Sequence, residues 1–306
     1  MIHDYYLQLL LNPKDEDRIK PFKKWEQENQ KRLKGKNTEE KHIVWQQEEI
    51  VGRKKKNMDM IFSKDKNINE FYPKPEDLQN LPENSTLIKI SFTLKKPYTS
   101  KNEGEFCIID GRIFENPIVR DKFTDLPMVR PSTWKGHLRF AAEKIECKKD
   151  ERKNIIKRLF GSKPKEDEPL KGRLYFFPTF FEENAKKDVI TPLKRDTRTP
   201  TKRGPIPLEV MKPGTSGEFH LLYIPYPKGK DFKKEEIEED LKFLAESLGL
   251  MFYTYGFSAK KTSGFGVIEE LKESEVKVYP EIEDLKQIFS ILYTKVDKNG
   301  NYGDEK

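Results

Sequence analysis

The chain has 306 residues, of which 35% are hydrophobic, so it is long enough for one large domain or two ordinary ones with a modest core. Its 59 lysines and arginines only slightly exceed its 52 aspartates and glutamates, so the net charge of +7 favours a polyanionic partner weakly and local basic clusters are the better guide. Two cysteines exclude a disulfide framework and a cysteine metal site, no apolar stretch is long enough for a bilayer, and we expect a cytoplasmic protein.

Residues 1–85 are polar, charged and interrupted by prolines, which predicts an extension outside the main domain. Two stretches in it, 22–33 and 39–50, have the spacing of amphipathic helices, and their residues Trp25 and Trp45 need a surface that covers them. A helical extension packed on the main domain and a separately functional module are both open at this point.

From Thr86 onwards the chain alternates between strand and helix patterns. Strands are predicted at 86–94, 172–181, 218–226 and 264–271, and helices at 131–145, 154–160 and from Asp231 onwards. Ser132 or Thr133 is expected to cap the first of these helices. The order predicts an α+β fold of the ferredoxin-like (RRM-like) type over 86–275, followed by a C-terminal helix and polar tail over 276–306.

A basic insertion, residues 184–217, interrupts this pattern. It has almost no periodicity, carries five prolines and is too long for an ordinary loop. Its predicted RNA-binding residues are Lys194, Arg195, Arg198, Lys202 and Arg203. We expect a mobile basic arm that is either disordered or becomes ordered on RNA.

The run GFSAKKTSGFG, Gly256 to Gly266, combines three glycines with two lysines. Gly256, Gly264 and Gly266 allow backbone conformations in which amide groups approach a phosphate closely, and Lys260 and Lys261 supply charge. Aromatic residues surround the pair, as is typical where bases stack, although the same residues suit a core.

A second basic cluster lies at the start of the helix at 131–145. Arg130, Ser132, Lys135 and Arg139 are candidate phosphate ligands there, because a helix N-terminus favours an anion. A solvated basic face is the alternative. The loop before this helix is acidic, with Asp110, Glu115, Asp121 and Asp125, and such acids either support metal-assisted RNA cleavage or cap turns.

Three blocks then occur in order: ENPIVRDKFTDLPMVRPSTWKGHLRF at 115–140, RLFGS with KGRLYF at 158–176, and the glycine run. Together they resemble the RAMP superfamily of CRISPR-associated proteins, most closely the Csm/Cmr-type backbone subunit of type III effector complexes. The resemblance extends roughly over 86–271. It implies an RRM-like fold whose copies assemble with other subunits along a CRISPR RNA, while a thumb-like hairpin, here 184–217, reaches the guide–target duplex.

The resemblance also implies guide-RNA contacts at the start of the helix at 131–145 and in the glycine run, and it raises the question of cleavage. In nuclease members an aspartate two residues before the block's proline supports metal-dependent cutting of target RNA. Here that position is Glu115, with Asp110 as the substitute, and a divalent ion such as magnesium or manganese would be needed. Two other functions stay open: a CRISPR RNA processing endonuclease of the same superfamily, and a non-catalytic capping subunit.

Overall fold

A computed structural model describes residues 22–45, 48, 72–100, 107–109, 112–114, 116–121, 124, 126–162, 169–192, 194, 196–197, 199–201, 204–226 and 232–294. The strands, in chain order, are β1 (Thr86–Thr93), β2 (Cys107–Ile109), β3 (Arg112–Phe114), β4 (Met128–Val129), β5 (Leu174–Phe176), β6 (Thr179–Phe180), β7 (Lys186–Ile190), β8 (Ile206–Val210), β9 (Ser216–Tyr223) and β10 (Val276–Tyr279). The helices are α1 (Phe22–Glu28), α2 (Thr38–Trp45), α3 (Pro131–Ala142), α4 (Lys149–Phe160), α5 (Glu235–Gly249) and α6 (Glu283–Phe289).

The centre of the molecule is a four-stranded sheet in the order β10-β1-β9-β5, in which every neighbouring pair is antiparallel. The ladder between β1 and β9 is the longest, and it pairs Ile88 with Leu221 and Ile90 with Phe219. Three further two-stranded sheets are described, β2-β3, β4-β6 and β7-β8. This mixture of helices with an antiparallel sheet confirms the predicted α+β class.

Strand β1 has the predicted alternation because one of its faces is covered by helices. Ile88, Ile90 and Phe92 are buried on that side, whereas Lys89 and Ser91 on the opposite side are only partly buried. The helices contribute apolar stripes to the same core, and the Trp134 ring of α3 lies 4.8 Å from that of Phe219. Burial of these stripes is the main stabilising term for the whole layer.

Two helices differ from the predicted bounds at their first turns. Helix α4 begins at Lys149, five residues before the predicted start, because Asp150 and Glu151 in its first turn suit the helix dipole although that turn lacks an apolar stripe. It ends at Gly161, with φ of 90°, as predicted. Helix α5 begins at Glu235, and Asp231, its predicted first residue, lies outside the described residues.

Two predicted strands are wrong in part. The run at 172–181 is split into β5 and β6, because Pro178 between them has no N–H for a ladder, and β6 pairs with β4. The strand predicted at 264–271 does not form: Gly264 and Gly266 have φ of 74° and 79°, and only Ile268 makes a bridge, to Leu94. Instead β10 forms the sheet edge, although its residues fall in the segment that the sequence assigned to a C-terminal helix and tail.

The basic insertion is a hairpin, which corrects the expectation of an arm without regular structure. Strands β7 and β8 pair from Lys186 with Val210 to Ile190 with Ile206. Beyond the ladder, Thr201 N–H donates to Pro192 O at 2.9 Å and Lys194 N–H donates to Thr199 O at 2.8 Å, so the two arms stay close to the tip. The prolines argued against a strand in the sequence, but Pro207 is tolerated in β8 because a two-stranded ribbon has open edges, where a missing N–H breaks no further ladder.

The described part of the N-terminal extension contains the short helices α1 and α2. The rings of Phe22 and Trp45 lie 5.7 Å apart and Trp25 is buried. The next described segment begins at Tyr72, whose ring stacks on His220 at 3.9 Å, on the sheet face opposite the helices. No helix in the described part of the chain has the length and apolar character needed to cross a membrane.

Candidate nucleic-acid interface

Helix α3 is anchored by one side and offers a polar stripe on another. Its buried residues are Trp134, Leu138, Ala141 and Ala142, and the Trp134 indole N–H donates to Thr179 Oγ1 at 3.1 Å. Ser132 and Lys135 are exposed and Arg139 is partly exposed. Spacings of three and four residues put these three side chains on one face of the helix.

The predicted cap of α3 is wrong. Pro131 is the first helical residue, so Arg130 occupies the N-cap position and caps with its backbone alone. Its carbonyl accepts the N–H groups of Thr133 and Trp134 at 2.9 and 3.1 Å. Ser132 therefore lies inside the first turn, and its exposed hydroxyl is left to solvent or a ligand.

The glycines of the run 256–266, here called the glycine loop, serve the loop's own folding. A Cβ at Gly256 would lie 2.3 Å from Phe265 O, and one at Gly266 would lie 2.6 Å from Ser258 N. The Gly256, Gly264 and Gly266 N–H groups donate to carbonyls of Met251, Lys261 and Pro97, each at 2.8 Å. These three amides therefore do not point at a phosphate, contrary to the mechanism expected from the sequence.

The aromatic residues near the loop also have structural roles. Phe257 is fully buried, with its ring 4.3 Å from that of Trp134. The Tyr253 hydroxyl donates to Leu292 O at 2.6 Å and accepts from Leu271 N–H at 3.2 Å. The expectation that these rings stack on bases is wrong for Phe257, and the core alternative describes it.

The structure brings the glycine loop and α3 together. The Lys261 ammonium lies 3.7 Å from the centroid of the Phe140 ring, and the Lys144 ammonium lies 5.5 Å from the same ring. Burial lowers the pKa of Lys261. Lys261 is thus held by a cation–π contact that joins loop to helix, whereas its neighbour Lys260 is exposed.

Two charged neighbours, Lys261 and Glu143, affect the charges of His137 and Arg139 on α3. Burial, and secondarily the charge of Lys261, lowers the pKa of His137 to about 4, so its imidazole is neutral near pH 7. Arg139 lies 3.6 Å from the Glu143 carboxylate, one helical turn later. Among the predicted basic residues of α3 and the glycine loop, Lys135 and Lys260 are therefore the best placed to meet a phosphate.

The remaining predicted residues divide into described and undescribed ones. In the hairpin, the exposed lysines are Lys186, Lys187, Lys194 and Lys212. Positions outside the described residues are Arg195, Arg198, Lys202, Arg203, Asp110, Glu115 and Asp125. Asp121 caps a turn, because its Oδ2 accepts from the Thr124 N–H at 2.8 Å.

A metal site is not tested by the described residues. Among them, no group of three or more His, Cys, Asp or Glu side chains can hold a metal ion, and the two nominated acids lie elsewhere. The requirement for magnesium or manganese stays a prediction.

Sequence reasoning missed a buried ionic cluster that explains both segments of the second family-like block, RLFGS and KGRLYF. Arg158 of RLFGS and Arg173 of KGRLYF both reach Asp240 of α5, with nitrogen–oxygen distances of 2.9 and 2.6 Å. Tyr223 Oη donates to the same carboxylate at 3.0 Å. The sequence signal that could have revealed the cluster is Asp240, an aspartate on the apolar face of α5, because a buried carboxylate needs a basic partner. The arginines of this block therefore stabilise the scaffold.

The family model of the RAMP superfamily matches residues 109–269. The CRISPR system Cms endoribonuclease Csm3 of Streptococcus thermophilus is 25% identical over 191 residues, which cover 58% of this chain and 84% of the relative.

Two solved structures are also similar. One chain belongs to the type III-B Cmr-beta bound to cognate target RNA, with 16% identity, a TM-score of 0.46, and coverage of 90% of this chain and 98% of the other. Another belongs to a type IV-B CRISPR complex, with 11% identity, a TM-score of 0.38, and coverage of 64% and 91%. Because the family model spans more than half of its length, the chain belongs to the RAMP superfamily.

Proposed function

We propose that the chain is a guide-RNA-binding backbone subunit of a type III CRISPR interference complex. The observation that carries the proposal is the cation–π contact between Lys261 of the glycine loop and Phe140 of α3, here called the joint. It occurs in a member of the RAMP superfamily that has a Csm3 relative. The exposed stripe of α3 and the exposed Lys260 flank this joint. Such neighbouring basic groups bind a polynucleotide backbone by releasing its counterions, without reading sequence.

The fold supports the proposal at a finer level. The order β10-β1-β9-β5 places the first and third main strands at the centre of the sheet, as in a ferredoxin-like split βαβ arrangement. We take the β7-β8 hairpin as the thumb, because its exposed lysines suit a second RNA contact beyond the core. Other copies of the chain, other subunits, CRISPR RNA and target RNA are the proposed partners, in the cytoplasm.

Single lysine substitutions test the RNA interface. Lys135→Ala and Lys260→Ala are each expected to weaken guide-RNA binding by about 3- to 10-fold at moderate salt and to reduce the salt dependence, because each removes about one phosphate contact. Fluorescence anisotropy over a salt series measures both quantities. Lys242→Ala on α5 is the matched control. It also removes one positive charge, from a lysine whose side chain is 60% exposed and pairs with Glu238. Equal losses in all three variants would sink the assignment.

Target-RNA cleavage is a secondary proposal that follows from the position of Glu115 in the first block. A bound divalent ion would supply charge stabilisation there, and Glu115 or Asp110 would hold it. Glu115→Ala is expected to stop cutting of a complementary target while guide binding is retained. Continued cutting by that variant transfers the role to Asp110, which Asp110→Ala then tests, and cutting by the double variant rules out both.

The lowered pKa values of two histidines argue against the processing endonuclease of the same superfamily. Burial lowers the pKa of both His137 and His220 to about 4, which makes either imidazole a weak general base near pH 7. Cutting of a repeat hairpin by the isolated chain, lost in His137→Ala, would revive this function. One copy of the chain in each purified complex would favour the capping subunit.

A further inference from the structure

Glu209 is a buried acid in the predominantly basic insertion, and both of its carboxylate oxygens accept hydrogen bonds. Oε2 accepts the Ile118 N–H at 3.0 Å, and Oε1 accepts Arg120 Nη2 at 3.2 Å. Its side chain is 8% exposed. A hydrogen-bonded carboxylate so shielded from water is expensive to displace, so it fixes β8 against the segment 116–120 that follows Glu115.

The Glu209 backbone extends this contact in two directions. Its N–H donates to Asn116 O at 3.1 Å, and its carbonyl accepts the Thr99 hydroxyl at 2.8 Å. The Asn116 side-chain amide also donates to the carbonyl oxygen of Pro207 at 3.0 Å, and Pro207 lies two residues before Glu209 on β8. The base of the hairpin is therefore tied to two separate segments of the main domain.

Thr99 in turn reaches the glycine loop. Its N–H donates to Ser258 Oγ at 2.9 Å, and its carbonyl accepts from the Ser258 hydroxyl at 2.9 Å and the Ala259 N–H at 3.1 Å. Ser258, Thr99 and Glu209 are all buried. A continuous buried polar path thus runs from the glycine loop through the hairpin to the segment after Glu115.

We propose that Glu209 is a positioning residue that sets the hairpin and the segment 116–120 in one orientation relative to the glycine loop. The inference rests on the proposed function, because it places these three elements along one RNA. Glu209 pairs with Lys187 near the base of the ladder, and Lys194 near the tip is seven residues further along, at most about 23 Å away at about 3.3 Å per residue. A small rotation at the base therefore moves the tip by several ångströms.

Three variants separate charge from hydrogen bonding. Glu209→Ala removes both side-chain contacts, whereas Glu209→Gln retains an oxygen for the Ile118 N–H and loses the ion pair with Arg120. Asp188→Asn is the matched control, since it neutralises an acid in the same hairpin whose carboxylate, among the described residues, accepts the adjacent Val189 N–H. Thr99→Val cuts the path at its centre by removing one hydroxyl.

The measurement locates the hairpin on RNA without using catalysis. An iron chelate attached to Lys194→Cys, with both native cysteines replaced by serine, cuts nearby positions of an end-labelled guide RNA. In Glu209→Ala the window of cuts is expected to broaden about twofold, because placement is lost. Affinity for guide RNA is expected to stay within about threefold, since the phosphate contacts of α3 and the loop remain. Glu209→Gln should fall between, Thr99→Val should broaden the window, and Asp188→Asn should match the parent.

The outcomes are separable. An unchanged window in folded Glu209→Ala overturns the inference and leaves the proposed function standing; if that variant does not fold, an unchanged window in both Glu209→Gln and Thr99→Val does the same. If the parent binds no guide RNA, the proposed function fails. Hydrogen exchange of the free protein then tests by itself whether Glu209 positions the hairpin and the segment 116–120. A neutral amide oxygen accepts the Ile118 N–H more weakly than a carboxylate does, so reduced Ile118 amide protection in Glu209→Gln supports the role of Glu209, and full protection in both Glu209→Gln and Thr99→Val overturns it.

Discussion

His220 is a buried imidazole on the sheet face that Tyr72 covers. It is 2% exposed, its ring stacks on Tyr72, and Glu218 and Lys89 are the charged groups beside it. Burial lowers its pKa from an ordinary 6.5 to about 4. His137 on α3 is shifted in the same direction, to about 4. Both side chains are neutral in the folded protein at pH 7.

The stability of the protein is therefore expected to fall with pH below about 6.5. The unfolded chain takes up a proton on His220 near pH 6.5 and the folded chain only near pH 4, so acid favours unfolding between these values. From pH 7 to pH 4.5 His220 should account for roughly 2 to 3 kcal/mol. Urea unfolding at both pH values measures the loss. A His220→Gln variant with an undiminished loss would contradict this assignment, whereas a smaller residual slope is expected from His137.

At the scale of elements, the glycine loop holds its shape through close backbone contacts. Gly256 and Gly264 both have positive φ, of 69° and 74°, yet only Gly256 faces a neighbouring backbone atom. This difference gives a matched pair of positions in one loop.

Gly256→Ala is expected to destabilise the protein by about 2 kcal/mol more than Gly264→Ala. Gly264 is left-handed (φ 74°, ψ 12°), which costs alanine about 1 to 2 kcal/mol, whereas Gly256 (φ 69°, ψ 164°) lies in a region that is essentially restricted to glycine, and a Cβ there would lie 2.3 Å from Phe265 O. Chemical denaturation gives the two free energies of unfolding. Equal losses would show that the loop relaxes around residue 256 without cost.

Helices α4 and α5 and strand β5 meet at the Arg158–Arg173–Asp240 cluster. Asp240 is fully buried, and Arg173 is 1% exposed, so each charge depends on its partners for compensation. Arg158 also pairs with Glu239, and Arg173 with Glu236 at 3.1 Å.

Asp240→Asn is expected to cost about 3 to 5 kcal/mol, because it leaves two arginines short of a buried counter-charge. Glu238→Gln on the same helix breaks an exposed pair with Lys242 and should cost under about 1 kcal/mol. Thermal and urea unfolding of both variants measure the difference. Similar small losses would mean that water reaches the cluster.

At the scale of the whole molecule, the proposed RNA contacts lie at α3, the glycine loop and the hairpin. Part of the open sheet face is covered by Tyr72, and the short 3-10 helix Pro75–Asn80 lies near β1. The central strands also present Lys89, Ser91 and Glu218 on that face, and the aromatic ring there, that of His220, is buried under Tyr72. Base stacking of the usual RRM kind is not expected on it.

Copies of the chain are expected to assemble along guide RNA in proportion to its length. A backbone subunit that holds phosphates without sequence choice binds each repeat of the strand alike. Mass photometry or multi-angle light scattering on guides of increasing length measures the number of copies. A constant single copy at every length would favour the capping subunit.

The sequence by itself determined the local elements whose pattern depends on neighbours in the chain. Alternation in β1, the apolar stripes of α3 and α5, and the end of α4 at Gly161 were all readable, because burial of one face imposes a period of 2 or 3.6. The ordered blocks also led to the RAMP superfamily. The division into domains and the RNA-binding roles of individual residues stay predictions.

Only the tertiary structure decided what the polar and glycine residues do, because their partners are distant in sequence. The glycine loop contacts the backbone near Thr99, Lys261 meets Phe140, and Glu209 binds segment 116–120. The edge position of β10 depends likewise on pairing with β1 across almost 190 residues of chain. Such contacts have no period, since each is fixed by where the fold brings two segments together rather than by the spacing of residues along either one.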